Sequence, residues 1–234
     1  MMDKEVVIAR TAAAKEALAF LDDAHVVGLG TGSTTSLFIE IAEREGKLKG
    51  KELVVSSIDT GLKLRRKGYS VMDTVFVDEL DVYIDSADEV DREGKMVKGG
   101  GGALLQEKIL SHISRKSVFI VDWKKLVPRL GVTHPIPIEI TPKALSWIVR
   151  HLESSGYRIT IRVSGGKKGP VVSDSGGILL DLYPPEGKDI EEVNEELIHI
   201  PGVVETGLFL KEADLIIVGY PEGKTERIAR KSNQ

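Results

Sequence analysis

Between residues 25 and 122 short apolar runs alternate with helical patterns, and that alternation limits what the chain can fold into. Runs at 25–29, 53–56, 82–85 and 118–122 read as strands. Helices are expected at 34–45, 61–67 and 103–114 between them, and at about 4–21 before the first. Strands separated by helices pair in parallel, because the return crossover needs the length of a helix. The strand runs are apolar throughout, which suits a sheet covered on both faces.

The rhythm breaks at 128–137, a stretch with three prolines and a glycine. Beyond it the order is strand (136–140), helix (142–154), strand (158–163), strand (178–183), helix (190–198) and strand (within 203–210). Thr141 is placed to cap the first of these helices, with Pro142 at its first position. The order β-α-β-β-α-β is that of the split βαβ motif in ferredoxin-like domains. A further buried run, 215–219, reads as a strand returning to the first sheet. The expected fold is α/β: a mostly parallel, layered, Rossmann-like sheet in residues 1–130 plus 207–234. A smaller ferredoxin-like α+β domain, 131–206, is inserted in it.

Composition narrows the function classes. The chain has no cysteine, which excludes disulfides, thiolate metal sites and a cysteine nucleophile. The net charge of −4 comes without blocks of like charge, so no nucleic-acid partner is expected. Charged residues interrupt every apolar stretch before the roughly 18 residues that span a membrane. The N-terminus lacks the basic-then-apolar order of a signal peptide. These features read as a soluble, cytoplasmic protein.

In α/β sheets, ligands collect at the carboxyl ends of the parallel strands. The first strand runs into Gly28-Leu29-Gly30-Thr31-Gly32-Ser33-Thr34. Backbone N–H groups of Gly32, Ser33 and Thr34, with the Thr31, Ser33 and Thr34 hydroxyls, form an anion cradle at a helix start. The bland alternative is a tight turn with Ser33 as N-cap. Ser33 stands where a dinucleotide fingerprint needs its third glycine, and no Gly-Lys-Ser/Thr closes a P-loop.

The third strand ends in Asp85-Ser86-Ala87-Asp88-Glu89. Asp85 and Asp88 straddle the strand end with only small residues between them, whereas Asp81, Glu89 and Asp91 read as solvated loop acids. A divalent-metal site at Asp85 and Asp88 is a rival reading. Next comes Lys98, followed by Gly99, Gly100, Gly101 and Gly102. Four glycines form either a flexible tether or a cradle that brings a ligand against the backbone.

On the helix that follows, Glu107 shares a row with Ala103, Leu104 and Leu110. Helical side chains tilt toward the N-terminus, so Glu107 leans back toward the glycines. A glutamate near a helix start is also favoured by the helix dipole alone. Arg10 is similarly set among Val6, Val7, Ala13, Ala14 and Ala17; it either snorkels or reaches a phosphate.

Together, "GLGTGST", "SSID", "DSADE", "KGGGGALLQEK" and "PGVVETGLF" occur in order across nearly the whole chain. In this combination the chain resembles the A-type ribose-5-phosphate isomerases. The usual family loop reads Asp-Gly-Ala-Asp-Glu, so Ser86 is a departure, as are Gly102 for alanine and Arg10 for lysine.

The resemblance implies interconversion of ribose 5-phosphate and ribulose 5-phosphate with no metal or organic cofactor. It makes Glu107 the base that carries a proton between C2 and C1, and Lys98 with the glycine N–H groups the stabilisers of an enediolate. Asp85 becomes the helper in ring opening, and Asp88 a group near O1 and O2. Thr31, Ser33, Thr34, Lys125 and Arg10 become the phosphate holders. It also implies a homodimer or homotetramer.

The rivals are a sugar-phosphate-sensing effector domain, an amino-sugar phosphate deaminase, a phosphogluconolactonase and a nucleotide-dependent oxidoreductase. The sensor lacks a DNA-binding segment here, the spacing of Lys98 and Glu107 favours the isomerase over the deaminase and the lactonase, and Ser33 in place of the third fingerprint glycine argues against the oxidoreductase.

Overall fold

The structure is a computed structural model that describes residues 3–229. The outermost residues assigned to the larger domain, 1–2 and 230–234, lie outside the described residues. Helix α1 (Lys4–Ala17) and a 3-10 turn (Leu18–Leu21) lead into β1 (Val26–Leu29). Next come α2 (Ser33–Arg44), β2 (Glu52–Val55), α3 (Ile58–Arg66), β3 (Val71–Met72) and β4 (Val82–Asp85). A hairpin of β5 (Glu89–Val90) and β6 (Met96–Val97) precedes α4 (Leu104–His112) and β7 (Ser117–Asp122). The second half holds β8 (Ile136–Ile140), α5 (Leu145–Ser154), β9 (Arg158–Ile161), β10 (Ile178–Tyr183) and α6 (Ile190–Ile198). It closes with β11 (Val203–Thr206), β12 (Leu208–Phe209), β13 (Leu215–Gly219) and β14 (Thr225–Ala229).

The large sheet has the order β14-β13-β7-β4-β1-β2-β3, parallel except for the β13–β14 pair at one edge. Its strands bury both faces, as their unbroken apolar runs require. Val82, Ile84, Val118 and Ile120 pack with Ala13, Ala17 and Phe38 from α1 and α2. Tyr83, Phe119 and Val121 face the other way, against Leu110 of α4 and against Met96 and Phe209. The smaller sheet, β11-β8-β10-β9, pairs antiparallel throughout, and its apolar face packs on α5 and α6 through Ile148, Leu152, Val193 and Leu197.

Four local expectations change. The strand expected within 203–210 breaks at Gly207, whose backbone joins Lys98 and Pro137. Its carbonyl accepts from the Lys98 N–H at 2.8 Å, and its N–H donates to the Pro137 carbonyl at 2.7 Å. A Cβ there would run into the Lys98 carbonyl, so only glycine lets β11 and β12 diverge to different sheets. Gly32 rather than Ser33 is the N-cap of α2, with φ +112°, and Ser33 is its first helical residue. Thr141 makes no side-chain cap bond, and the turn after it is 3-10. Glu89 is fully buried rather than solvated.

Candidate active site

The strand order of the large sheet reverses between β1 and β4: β2 and β3 lie on one side, β7 and β13 on the other. That switch point opens a crevice beyond the carboxyl ends of the two strands. The Gly30 N–H donates to the Ile84 carbonyl at 2.9 Å, and a Cβ on Gly30 would overlap the Asp85 carboxylate. The loop after β2 braces the crevice: Ser57 caps α3 and donates to the Thr31 hydroxyl at 3.0 Å, and Thr60 donates to the Gly30 carbonyl.

A cavity of about 100 Å³ occupies the crevice. Its walls include Arg10, Thr31, Gly32, Ser33, Thr34, Asp88, Lys98, Gly99, Gly100, Gly101, Glu107 and Lys125. Every residue expected at the site lines this space except Asp85. A larger cleft of about 500 Å³ lies outside β2 and β3, but its carboxylates, Asp73 and Asp174, are exposed. Size does not mark the chemistry here.

The floor is a buried charge cluster. The Lys98 ammonium lies 2.7 Å from Asp85 Oδ2 and 3.5 Å from Glu107 Oε2, and it also donates to the Ser86 carbonyl. Phe119 and Phe209 flank it with ring centroids at 5.2 and 5.4 Å. Asp85 is 0% exposed and further accepts from the Tyr83 hydroxyl at 2.7 Å and the Thr35 hydroxyl at 3.0 Å. It stands beneath Lys98, not at the cavity wall. The metal reading of Asp85 and Asp88 loses its geometry, because an ammonium and two hydroxyls already fill the donor positions around Asp85.

One ammonium between two buried carboxylates leaves a net negative charge unless one carboxylate holds a proton. Asp85 has three donors, whereas Glu107 Oε2 has no hydrogen-bond partner in the protein. Burial therefore pushes the Glu107 carboxyl up to about 8; Lys98 pulls it down, and Asp85 and Asp88 push it further up. Burial works to lower the Lys98 ammonium, but Asp85 and Glu107 outweigh it and hold it above the ordinary lysine range. Glu107 lies on the buried face of α4 with Leu104 and Leu110, the row its spacing indicated.

The glycine loop forms the opposite wall. Gly99 has φ +95°, and a Cβ on Gly100 would come within 2.8 Å of the Asp88 carboxylate. Asp88 Oδ2 accepts the Gly100 N–H at 2.7 Å. At the far end Asp122, at the end of β7, orients Arg10: Nε donates to Oδ2 at 2.8 Å, and Nη1 reaches the Ser33 hydroxyl at 3.0 Å. Arg10, Lys125 and the amino end of α2 thus gather positive charge around the Thr31–Thr34 turn.

Sequence reasoning missed two groups that hold this site. Arg162 reaches from the smaller sheet to the glycine loop, and Asp174 accepts the Ile58 N–H at the start of α3 at 2.8 Å. The signal for the first was Asp181, a lone acid inside the apolar strand β10 that pairs with Arg162. Glu89, read as solvated, accepts from the backbone N–H groups of Gly131, Thr133 and His134.

A family profile described as Ribose 5-phosphate isomerase A (phosphoriboisomerase A) matches residues 52–223. The chain belongs to this family. The ribose-5-phosphate isomerase A of Aeropyrum pernix is 45% identical over 83% of this chain and 82% of its own length. That of Thermococcus kodakarensis is 42% identical over 92% of this chain and 95% of its own. Among solved structures, a D-ribose-5-phosphate isomerase in complex with phospho-erythronic acid superposes with a TM-score of 0.89. It is 36% identical and covers 96% of this chain and 99% of its own. The ribose 5-phosphate isomerase A of Methanocaldococcus jannaschii gives 0.86 at 33% identity, over 94% and 98%. The profile for ribose 5-phosphate isomerase A spans Asp85, Asp88, Lys98, Glu107 and Lys125, while Arg10 and the Thr31 loop precede it.

Proposed function

We propose that this chain is an aldose–ketose isomerase that interconverts D-ribose 5-phosphate and D-ribulose 5-phosphate. The observation that carries the reading is Glu107: a buried carboxyl with an unpartnered oxygen, displaced to about 8, on the wall of the cavity beside Lys98. Moving a proton between adjacent carbons needs a base whose pKa lies near the working pH, and apolar burial is how a carboxyl reaches that range. The phospho-erythronic acid held by the related structure fits the same chemistry, since its planar carboxylate has the two-oxygen arrangement of an enediolate.

In this mechanism Arg10, Lys125, the Thr31, Ser33 and Thr34 hydroxyls and the first N–H groups of α2 hold the phosphate. Binding that remote group orients the reacting carbons. Glu107 removes the C2 proton of the open-chain aldose and returns it to C1, while the O2 hydroxyl proton passes to O1, so that the C1 aldehyde becomes a hydroxyl and C2 a carbonyl. Lys98 and the glycine-loop N–H groups stabilise the enediolate oxygens, with Asp88 accepting from the sugar hydroxyls. Asp85 acts through Lys98 by holding its ammonium, instead of opening the ring directly.

We assign the enzyme to the cytoplasm and to a homodimer or homotetramer, with residues 131–206 as the smaller domain. Among the described residues no helix is long and apolar enough to cross a membrane. Incubation with ribose 5-phosphate in EDTA tests the reading. Ribulose 5-phosphate should form; no turnover, or turnover only after metal is added, overturns it.

A further inference from the structure

Arg162 follows β9 on the smaller sheet, outside the motifs that frame the cavity. Its guanidinium forks onto Asp181 of β10, with Nε 2.9 Å from Oδ2 and Nη2 on Oδ1. The remaining nitrogen, Nη1, donates to the Gly99 carbonyl at 2.9 Å and lies 3.3 Å from the Gly100 carbonyl. One arginine therefore ties the second sheet to two consecutive peptides of the glycine loop. Those peptides carry no side chain of their own, and glycine has the least restricted backbone of any residue.

A trans peptide points its carbonyl and the following N–H in opposite directions. With the Gly99 carbonyl turned to Arg162, the Gly100 N–H faces the other way, where it donates to Asp88 Oδ2 at 2.7 Å. Turning the Gly100 carbonyl likewise sends the Gly101 N–H away from Arg162, and Gly101 lines the cavity. We propose that Arg162, held by Asp181, is a positioning residue: by fixing these two peptide planes it aims the Asp88 carboxylate and the glycine-loop donors at the substrate oxygens.

The proposal rests on the isomerase reading above. A planar fork is needed for it, since an ammonium cannot engage a carboxylate at two points and two carbonyls at once. The side chains of Arg162 and Asp181 are 16% and 19% exposed, so the pair is largely buried and removing one partner leaves the other charge uncompensated. Its effect on the glycine loop is directional.

The test compares ribose 5-phosphate turnover and thermal melting of the unaltered chain, R162A, D88N, the R162A/D88N double variant and D181N. Whatever its fall in melting temperature, the folded R162A chain should lose about 100-fold in kcat, the scale expected when reacting groups are misplaced by about 1 Å. Added guanidinium should restore part of that rate. In the D88N background the same substitution should cost less, because the share of its effect that runs through the Asp88 carboxylate is already lost. If R162A does not fold, D181N carries the test, with a smaller loss in kcat. R162A with near-normal kcat, or losses that simply multiply in the double variant, would overturn the proposal. Failure of the unaltered chain to turn over ribose 5-phosphate would instead remove the isomerase reading.

Discussion

Glu89 and Glu107 are both buried glutamates close to the glycine loop in sequence, yet their surroundings are opposite. Glu89 collects the N–H groups of Gly131, Thr133 and His134 at 2.6, 2.6 and 2.7 Å, and the Thr133 hydroxyl besides. Those donors satisfy its oxygens, and it in turn fixes the segment that leads into the smaller sheet. Glu107 has one oxygen without a hydrogen bond and a lysine 3.5 Å away. Burial alone does not make a base; burial with unsatisfied lone pairs on a cavity wall does. Glu139 meets the first condition without the second. It too has an unpartnered oxygen and a carboxyl raised by burial, but it lines no part of the catalytic cavity.

The contrast breaks most visibly at Glu107 itself. Glu107→Gln should lower kcat by about 10²–10⁴-fold, the range for a positioned acid–base group, with substrate binding retained. Steady-state kinetics and a binding titration check this. Lys98→Met comes next. It should cost about 10²–10³-fold in kcat, and about 3–5 kcal/mol of stability because Asp85 is left buried without its ammonium. Denaturant melts read the second effect.

Glu89→Gln should show the reverse pattern, with turnover near normal while the chain is folded. Its stability should fall by about 1.5–3 kcal/mol, the scale of a hydrogen bond to a charged group. A large kcat loss there would erase the distinction between the two regions.

A further expected effect is on stability against pH. The folded Glu107 carboxyl, at about 8, keeps a proton that the unfolded chain releases near its ordinary 4.5. Its contribution is therefore complete below 4.5 and lost as pH rises through 8. Thermal melts should show Glu107→Gln gaining on the unaltered chain across that window. Activity runs the other way: kcat/KM should climb as pH passes 8 and stay level into the lysine range, since Lys98 titrates above its ordinary value.

How much of this was legible in the sequence depended on how local the cause was. Unbroken apolar runs located β1, β4, β7 and β13, because strands covered on both faces need no polar alternation. The two-residue strands β3, β5 and β6 left no periodic signal, and β12 was read as part of a single strand with β11. β14, Thr-Glu-Arg-Ile-Ala, is an edge strand whose pattern is mostly polar. Residue type at strand ends found much of the cavity wall, and Arg10 was found from its apolar neighbours on the first helix, although its partner Asp122 lies 112 positions away. The buried state of Glu89 and Asp85 was hidden, since it depends on donors brought in from segments distant in sequence. Arg162 escaped for the same reason, although Asp181 within apolar β10 marked its partner.

Isomerisation in D2O, followed by mass or NMR analysis of C1, tests the role of Glu107 most directly. The unaltered chain should form ribulose 5-phosphate with part of it carrying solvent deuterium at C1. Glu107→Gln should bind the sugar phosphate yet show almost no deuterium uptake. Near-normal uptake by that variant would contradict the mechanism.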